Sequence, residues 1–375
     1  MSKKANDSRQ AEFDVKLSRI RAVLSEKNLS GVVLSSQALF SWATAGGDNH
    51  VVTAGDQGVA SLLVTPQTVT VMATNIEIER LRTEEFKGID IANVEFWSFP
   101  WHGAGSVSSE VQRRLGSQPW ASDSGLGTAG ADDFVPLTYA LTESEIARYR
   151  KIGKDCAVAM EEALAKVKPG FTEFQVASLV SARLLDRAVR PHVLLVASDE
   201  RVLQFRHPIP KEKKVRKHLM AVLCGKRGGL IINLTRMVHF GKLPAEIRRR
   251  HDAVCAVDMA LNTATIPGRP IGDVFAAGLA EYAKQGFADE WKLHHQGGPT
   301  GYQGRSFLGK EGEARVVEQN QAFAWNPSIT GTKSEDTILA TSDGIEFLSA
   351  PTRDWPALSV KSGGKTWRRA DIWVR

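Results

Sequence analysis

The chain has 375 residues, of which 42% are hydrophobic and 24% are charged, and its formal net charge is +6. This composition is ordinary for a soluble globular protein with a packed core. No apolar run approaches the ~20 residues of a bilayer-spanning helix, so we expect no membrane span.

The N-terminal segment MSKKANDSRQAEFD is polar and lacks the apolar middle part of a signal peptide, so we expect a cytoplasmic protein. Cys156, Cys224 and Cys255 are few and scattered, which argues against a disulfide framework or a thiolate zinc site. Much of the positive charge lies in short runs such as KEKKVRK and RRRH, which are typical of solvated faces. These runs carry no nucleic-acid motif and no interleaved aromatic residues, so we do not expect a nucleic-acid partner.

The first part of the chain alternates helical and strand patterns. The stretch DVKLSRIRAVLSEK places apolar residues on one helical face, and LSGVVLSS is a β-branched strand candidate. GVASLLVTPQTVTVMAT predicts two strands around a turn with proline, and IEIERLRTEEF predicts a further helix. We therefore predict an α/β domain over residues 1–138, which ends in a Gly- and Asp-rich connection.

The second part groups helices with strands that look antiparallel. Thr142 with Glu145, and Thr172 with Gln175, form two capping boxes that predict helix starts. Another helix is expected after Leu243, ending before a Pro-Gly pair. The predicted strands are HLMAVLCG, GLIINLTRMVHF, AFAWNPSI and DTILAT. This pattern predicts an α+β domain over residues 139–375.

Five segments in this order, FRHP, VLCGKRGGLIINLTR, HHQGGPTGYQGR, AFAWNPSI and KSEDTILAT, resemble the creatinase, aminopeptidase P and prolidase family. The resemblance covers roughly residues 19–350 and implies a pita-bread α+β catalytic domain after a smaller creatinase-type N-terminal α/β domain. It also implies a homodimer in which the N-terminal domain of one subunit borders the active site of the other. Residues 40–50 would form that border.

The peptidases of this family bind two divalent metals through two Asp, one His and two Glu side chains. Carried over motif by motif, those five positions are Val222, Asn233, His295, Asn326 and Glu335. Two divalent cations need hard anionic oxygen donors, and a single carboxylate is left here. We therefore predict that the chain is not a dinuclear metallopeptidase, and we expect no metal and no cofactor.

Creatinase, which hydrolyses a C–N bond without metal, is similar in this respect. The resemblance places His207 of FRHP at the catalytic histidine, Glu335 at a retained carboxylate, and Arg305 of GYQGR at an arginine that grips the substrate carboxylate. Imidazole can take a proton from water near neutral pH. Thr235 stands where creatinase has a Glu, so creatine is not the expected substrate.

The resemblance also implies roles for the remaining positions of the predicted pocket. His295 is expected either to hydrogen-bond the substrate or to orient a neighbour, and His294 is interpreted as structural. A structural pair of Glu335 with Lys333 or Arg236, and a structural salt bridge of Arg305, remain alternatives. Neutral groups and aromatic walls complete the set: Asn233, Asn326, Thr235, Tyr302 and Trp325.

The sequence thus favours a metal-independent hydrolase that cleaves a C–N bond of a small nitrogenous, carboxylate-bearing substrate. His207, Glu335 and His295 would be its catalytic residues. One alternative is a catalytically inactive pita-bread module that binds a partner. Another is an Xaa-Pro peptidase with a residual metal site, against which the number of lost ligands argues.

Overall fold

The computed structural model describes residues 3–375, with side chains described from Arg9 onward. The chain divides into two compact units. The first runs up to Glu145 and includes Gly228–Leu230, and the second comprises Ile146–Arg227 and Ile231–Arg375. Within the described residues, no helix is both long enough and apolar enough to cross a bilayer.

The first unit is a mixed sheet with helices. Its strands are β1 (Val32–Ser36), β2 (Gln57–Val64), β3 (Val69–Thr74), β4 (Val94–Phe99), β5 (Ala121–Ser122) and β6 (Ala129–Gly130), in the order β4-β3-β2-β1-β5-β6. Its helices are α1 (Lys3–Glu26), α2 (Gln37–Ala43), α3 (Ile78–Arg80) and α4 (Val107–Leu115), with short π- or 3-10-helical turns at Leu81–Glu85, Ile91–Asn93 and Asp132–Thr138.

A buried ion cluster supports the first unit. The Lys16 ammonium lies 2.6 Å from a Glu12 carboxylate oxygen and 2.8 Å from a Glu145 carboxylate oxygen, and all three side chains are buried. Glu145 also accepts a hydrogen bond from the backbone N–H of Thr142, as the predicted capping box requires. The start of the following helix is therefore held by both its cap and this cluster.

The second unit contains the remaining elements. Its helices are α5 (Glu143–Lys166, which begins at the end of the first unit), α6 (Glu173–Leu185), α7 (Glu200–Gln204), α8 (Ala245–Ala264) and α9 (Ile271–Lys284), with a 3-10 turn at Glu290–Leu293. Its strands are β7 (Arg190–Ser198), β8 (His218–Arg227), β9 (Leu230–His239), β10 (Gly297–Thr300), β11 (Ala322–Trp325), β12 (Ser328–Ile329), β13 (Thr332–Lys333), β14 (Asp336–Thr341), β15 (Gly344–Phe347), β16 (Ala357–Ser362), β17 (Lys365–Ala370) and β18 (Trp373–Val374).

The main sheet of this unit has the order β10-β11-β14-β9-β8-β7, with β15 paired to β14 and β18 paired to β9. The pairs β10–β11, β11–β14, β14–β9 and β7–β8 are antiparallel, as the sequence pattern predicted for the strands it identified. Helices α8 and α9 pack on each other, and α8 also packs on β11 and β16. The result is an α+β unit whose apolar core lies between helices and sheet.

Strand alternation separates two polar environments around β13 and β14. Lys333 and Glu335 point to one side, whereas Ser334 and Asp336 point to the other, because successive side chains of an extended chain face opposite ways. Ser334 and Asp336 join a buried network in which Arg369 pairs with both Asp258 and Asp336. The side that carries Lys333 and Glu335 is the site described below.

Acid should destabilise this unit through His251 on α8. The ring is buried, it hydrogen-bonds Thr332 Oγ1 at 2.6 Å and the Ala370 carbonyl at 3.2 Å, and burial lowers its pKa to about 4. A histidine whose folded pKa is depressed stabilises the fold above the unfolded pKa of ~6.5, and that stability is lost as the pH falls toward the folded pKa. We expect protonation of His251 to lower the free energy of unfolding by about 2 kcal/mol between pH 7 and pH 5.

Urea unfolding at the two pH values measures this effect. His251→Gln should be less stable at pH 7 but should have a flatter pH dependence than the unmodified chain. His102→Gln, at an exposed position, is the matched control and should keep the original dependence. An identical slope for His251→Gln and the unmodified chain would show that His251 does not cause the loss.

Candidate functional site

A cavity of about 300 Å³ lies in the second unit, on the face of the sheet that carries Lys333 and Glu335. Strands β7, β8 and β13 and residues next to β11 and β14 contribute to it, together with the loops that carry His207, His295 and Arg305. On β8, Val222 and Cys224 face it together because they are two residues apart. The lining residues are His192, Val193, Leu195, His207, Val222, Cys224, His295, Gly304, Arg305, Asn326, Lys333 and Glu335.

Glu335 is the central charged group of this cavity and is buried. One carboxylate oxygen accepts a hydrogen bond from Arg305 Nη2 at 3.0 Å, and the other lies 3.0 Å from Lys333 Nζ and 2.8 Å from Thr235 Oγ1. Burial alone would raise the pKa of Glu335, but the charges of Lys333 and Arg305 and the hydrogen bonds from Lys333 and Thr235 outweigh it and lower the pKa. Glu335 is therefore a carboxylate held between two cations.

The charge that faces the cavity is positive overall. Arg305 and Lys333 contribute two positive charges and Glu335 contributes one negative charge, so the charged lining residues sum to +1. Arg305 lies on the cavity wall with 16% of its side chain exposed. Such a pocket suits an anionic group such as a carboxylate.

The positions that hold metal in family peptidases do not fit a pair of divalent ions here. Val222 has no donor atom, and Asn233 donates through Nδ2 to Thr300 Oγ1 at 3.0 Å. Asn326 offers a neutral amide, and its Oδ1 is buried with no partner within the described residues. Glu335, the one carboxylate, is already neutralised by two cations that would repel a divalent ion. The residues present therefore do not fit the dinuclear centre.

Three histidines come together at one edge of the cavity. His207 follows α7, and His294 and His295 precede β10. The Nε2 atoms of His207 and His294 are 3.0 Å apart, the rings of His294 and His295 stack with centroids 4.5 Å apart, and the His207 and His295 centroids are 5.4 Å apart. One nitrogen from each ring lies within 4.8 Å of the others. We call these three residues the histidine trio.

The glycines after the trio fix its position. Gly297 has φ +90°, and a Cβ on it would lie 2.2 Å from the Ala324 carbonyl oxygen, so a side chain is excluded where β10 meets β11. The Gly297 N–H in turn donates to His295 Nδ1 at 3.3 Å. The Gly-rich turn therefore orients the His295 ring through its Nδ1 atom. The turn makes no hydrogen bond to the Nε2 atom.

The trio consists of neutral imidazoles at neutral pH. Burial lowers the pKa of His295 to about 4, with the charge of Arg305 as the next cause. Burial and then the charge of Lys333 lower the pKa of His207 and, more strongly, that of His294. Each ring therefore presents an unprotonated nitrogen that can accept a proton or bind a metal.

Cys224 lines the cavity and is partly buried. Burial raises the pKa of its thiol to about 12, which disfavours the reactive thiolate at neutral pH.

A second cavity of about 450 Å³ meets the first at His295. Its lining includes the apolar residues Phe275, Trp291, Leu293 and Leu308, and also Lys292, Lys310 and His294. His295 therefore lines both cavities, and each of them carries positively charged side chains.

Of the predicted site residues, five line the first cavity: His207, His295, Arg305, Asn326 and Glu335. Thr235 does not line the cavity but donates a hydrogen bond to Glu335, which does. Asn233 donates a hydrogen bond to Thr300. Trp325 and Tyr302 are buried and are not among the lining residues. Trp325 packs in the core below α8, where it stacks on Phe323 and donates to Thr265 Oγ1, so its place is that of a core aromatic.

Sequence reasoning did not assign Lys333 or His192 to the site, and it interpreted His294 as structural. Lys333 carried a signal, because it stands two residues before Glu335 and an extended chain places both on one side. His192 lies on β7, which was not predicted as a strand. His294 is brought to His207 by a contact across 87 positions of sequence, which no local pattern encodes.

Comparison with known proteins places this geometry in context. The sequence model of metallopeptidase family M24 matches residues 147–342. An uncharacterized peptidase of Staphylococcus aureus strain MW2 is 22% identical over 217 residues, which are 56% of this chain and 62% of that protein. The chain therefore spans less than two thirds of that relative's length.

Solved structures show the fold. The prolidase from Pyrococcus horikoshii OT3 superposes with a TM-score of 0.76 at 16% identity, covering 90% of this chain and 99% of the prolidase. The N-terminal domain of FACT complex subunit SPT16 from chickpea, Cicer arietinum, superposes with a TM-score of 0.71 at 11% identity, covering 92% and 97%. The predicted pita-bread α+β fold with its smaller N-terminal domain is thereby confirmed.

Proposed function

The chain belongs to metallopeptidase family M24, and from that premise we propose that it is a hydrolase that cleaves a C–N bond without the family's pair of divalent ions. The observation that carries this proposal is the ion-paired state of Glu335. Lys333 and Arg305 supply, next to the one remaining carboxylate, the positive charge that metal ions would otherwise bring. The substrate is proposed to be a small nitrogenous compound that bears a carboxylate.

The proposed carboxylate of the substrate is supported by the net positive charge of the cavity. Arg305 lines the cavity with part of its side chain exposed, and its planar guanidinium matches a carboxylate. Lys333, which is buried, adds charge but little directional preference. We infer that these two residues anchor the anionic end and that Glu335 fixes their positions. In this proposal Glu335, expected from the sequence to be catalytic, acts on the substrate through Arg305 and Lys333.

His207 is proposed as the general base. Its unprotonated imidazole removes a proton from water as the water oxygen bonds to the electrophilic carbon. The same proton then passes from the imidazolium to the leaving nitrogen as the C–N bond breaks. His295, between the two cavities, is placed to hydrogen-bond the reacting group. No metal is required at any of these steps.

The assembly around the site is also a proposal. By its resemblance to creatinase, the chain is proposed to act as a homodimer in the cytoplasm, with residues 40–50 of one subunit bordering the site of the other. The oligomeric state in solution, measured by light scattering, bears directly on this. A monomer with full turnover would show that the partner's residues 40–50 are not needed at the site.

A second candidate function is binding without catalysis. The loss of the metal-binding carboxylates favours it, and the fold is shared with a subunit of a complex as well as with prolidase. An inactive module has no need of an unprotonated histidine beside an anion pocket. The turnover experiment below separates the two candidates.

Metal analysis combined with a turnover screen tests the proposed function. The protein, purified without chelator, is assayed for manganese, cobalt and zinc. It is then tested with and without EDTA for amine release from N-substituted amino acids and Xaa-Pro dipeptides. We expect fewer than two metal equivalents and turnover that EDTA does not reduce, because no dinuclear centre can form. Two tightly bound equivalents with EDTA-sensitive turnover would contradict the proposal, and no turnover on any compound would favour the binding module.

A further inference from the structure

We propose that His207, His294 and His295 form a binding site for one divalent transition-metal ion of the zinc, nickel and cobalt(II) class. This site shares His295 with the family's metal positions but takes its other two ligands from elsewhere. It goes beyond the proposed hydrolase activity, and its existence does not depend on that activity.

The distances within the trio suit such an ion. Three imidazole nitrogens around a tetrahedral zinc, with Zn–N bonds near 2.05 Å, lie about 3.3 Å apart. Here His207 Nε2 and His294 Nε2 are 3.0 Å apart, and all three ligand atoms lie within 4.8 Å of one another. Small side-chain rotations close the widest separation, since His207 is exposed and lies outside the strands.

The donor set selects the class of ion. Imidazole nitrogen suits zinc, copper, nickel and iron, whereas magnesium, calcium and manganese prefer carboxylate and carbonyl oxygen. The trio supplies three nitrogen donors and no carboxylate. Three protein ligands leave a fourth tetrahedral position, which water or an anion in the adjoining cavity can occupy. A manganese or magnesium ion is therefore not the expected occupant.

The contact between His207 and His294 is better suited to a metal ion than to a hydrogen bond. His294 is buried, and its Nδ1, which has no hydrogen-bond partner within the described residues, can carry the ring proton while Nε2 keeps its lone pair. Its Nε2 faces the Nε2 of another imidazole, so one of these two nitrogens must act as donor and the other as acceptor. A metal ion can bind the lone pairs of both Nε2 atoms, so neither nitrogen then has to carry a proton.

The positive side chains near the trio are paired with carboxylates, which reduces their repulsion of a bound cation. Lys333 and Arg305 share Glu335 at 3.0 Å, so part of that repulsion remains, and Arg206 pairs with Glu290 at 2.9 Å. The same positive charges oppose protonation of the rings, which keeps the nitrogen lone pairs available. The site can thus accept an ion without first releasing protons at neutral pH.

Occupation of the trio has a consequence for the activity proposed above, and this consequence rests on that proposal. A bound ion uses the His207 lone pair that would otherwise take a proton from water. Zinc should therefore inhibit turnover in step with its occupancy, and EDTA should reverse the inhibition. The ion would act as a reversible inhibitor of a reaction that needs no metal.

Titration of zinc and of cobalt(II) into the full-length, chelator-treated protein tests the site. We expect one equivalent of zinc by calorimetry, and visible absorption typical of four-coordinate cobalt(II). His294→Asn and His207→Asn should each weaken zinc binding by at least ~100-fold, because loss of a ligand exceeds the 10–100-fold cost of losing an outer hydrogen bond. His102→Asn, at an exposed position, is the matched control and should bind normally.

Glu335→Gln separates this site from a remnant of the family's own. If zinc is held by the trio, Glu335→Gln keeps its stoichiometry, whereas a site made of His295 and Glu335 loses it. No zinc binding to the unmodified chain, or binding unchanged in folded His294→Asn and His207→Asn, would overturn the proposal. Should His294→Asn fail to fold, His207→Asn decides, because that residue is exposed. Zinc that binds fully without inhibiting would leave the site standing and refute the base role of His207.

Discussion

His207→Asn should lower kcat by about 10²- to 10⁴-fold, the range that a positioned general base contributes. Asparagine keeps hydrogen-bonding capacity and a similar size but cannot take up a proton. His207 is exposed and lies outside the strands, so the fold should be unaffected. The measurement is steady-state amine release in the presence of EDTA, which removes any effect of metal bound at the trio.

Two further variants show whether the loss reflects proton transfer. Arg305→Lys keeps the charge but loses the planar fork, so it should raise KM more than it lowers kcat. His102→Asn should leave both constants unchanged. If His207→Asn kept more than about half of the original kcat, the base would have to be another group, since general bases contribute at least about 10²-fold.

Arg236→Met should cost about 3–5 kcal/mol of unfolding free energy, the usual effect of removing one partner from a buried ion network. Arg236 is fully buried, with Nε 2.7 Å from Glu161 and Nη1 3.1 Å from Asp336. It also donates to the carbonyls of Thr235 and Ser349. Methionine fills much of the space but removes a charged donor from Glu161 and from Asp336, which keeps its pair with Arg369, and a donor from both carbonyls.

Chemical denaturation at pH 7 measures this effect. Arg249→Met is the matched control, because Arg249 pairs with Glu246 on the solvent side of α8, where such pairs contribute about 0–1 kcal/mol. The double change Arg236→Met with Glu161→Gln should recover part of the loss, because one orphaned charge is removed. A change below about 1 kcal/mol for Arg236→Met would mean that the network is not a net source of stability.

Much of the secondary structure could be predicted from local sequence. The capping boxes at Thr142 and Thr172 are present, and the strands HLMAVLCG, GLIINLTRMVHF and DTILAT lie within β8, β9 and β14. These segments have strong periodicity or strong caps, which act within a few residues. Local preference and tertiary packing agree there.

Among the elements that the sequence did not predict, two show how tertiary contacts override local preference. Helix α9 contains Gly272 and Gly278, which are poor helix formers, but Gly278 lets α9 approach Leu261 of α8 so closely that a Cβ would lie 2.5 Å away. Strand β7 contains Pro191, which disfavours a strand. It is accommodated because β7 is at the edge of the sheet and its register shifts next to that proline.

The sequence by itself determined the fold family and the residue types at the five positions that the resemblance assigns to the metals. Val222, Asn233 and Asn326 lack a charge wherever they are placed, because side-chain chemistry is fixed by residue type. Only the tertiary structure decided which side chains meet the remaining carboxylate. Lys333 and Arg305 meet Glu335, and His207 meets His294, through contacts between segments far apart in the chain. Charge neutralisation and metal geometry depend on distances of a few ångströms, and such distances arise only when separate strands and loops are packed together.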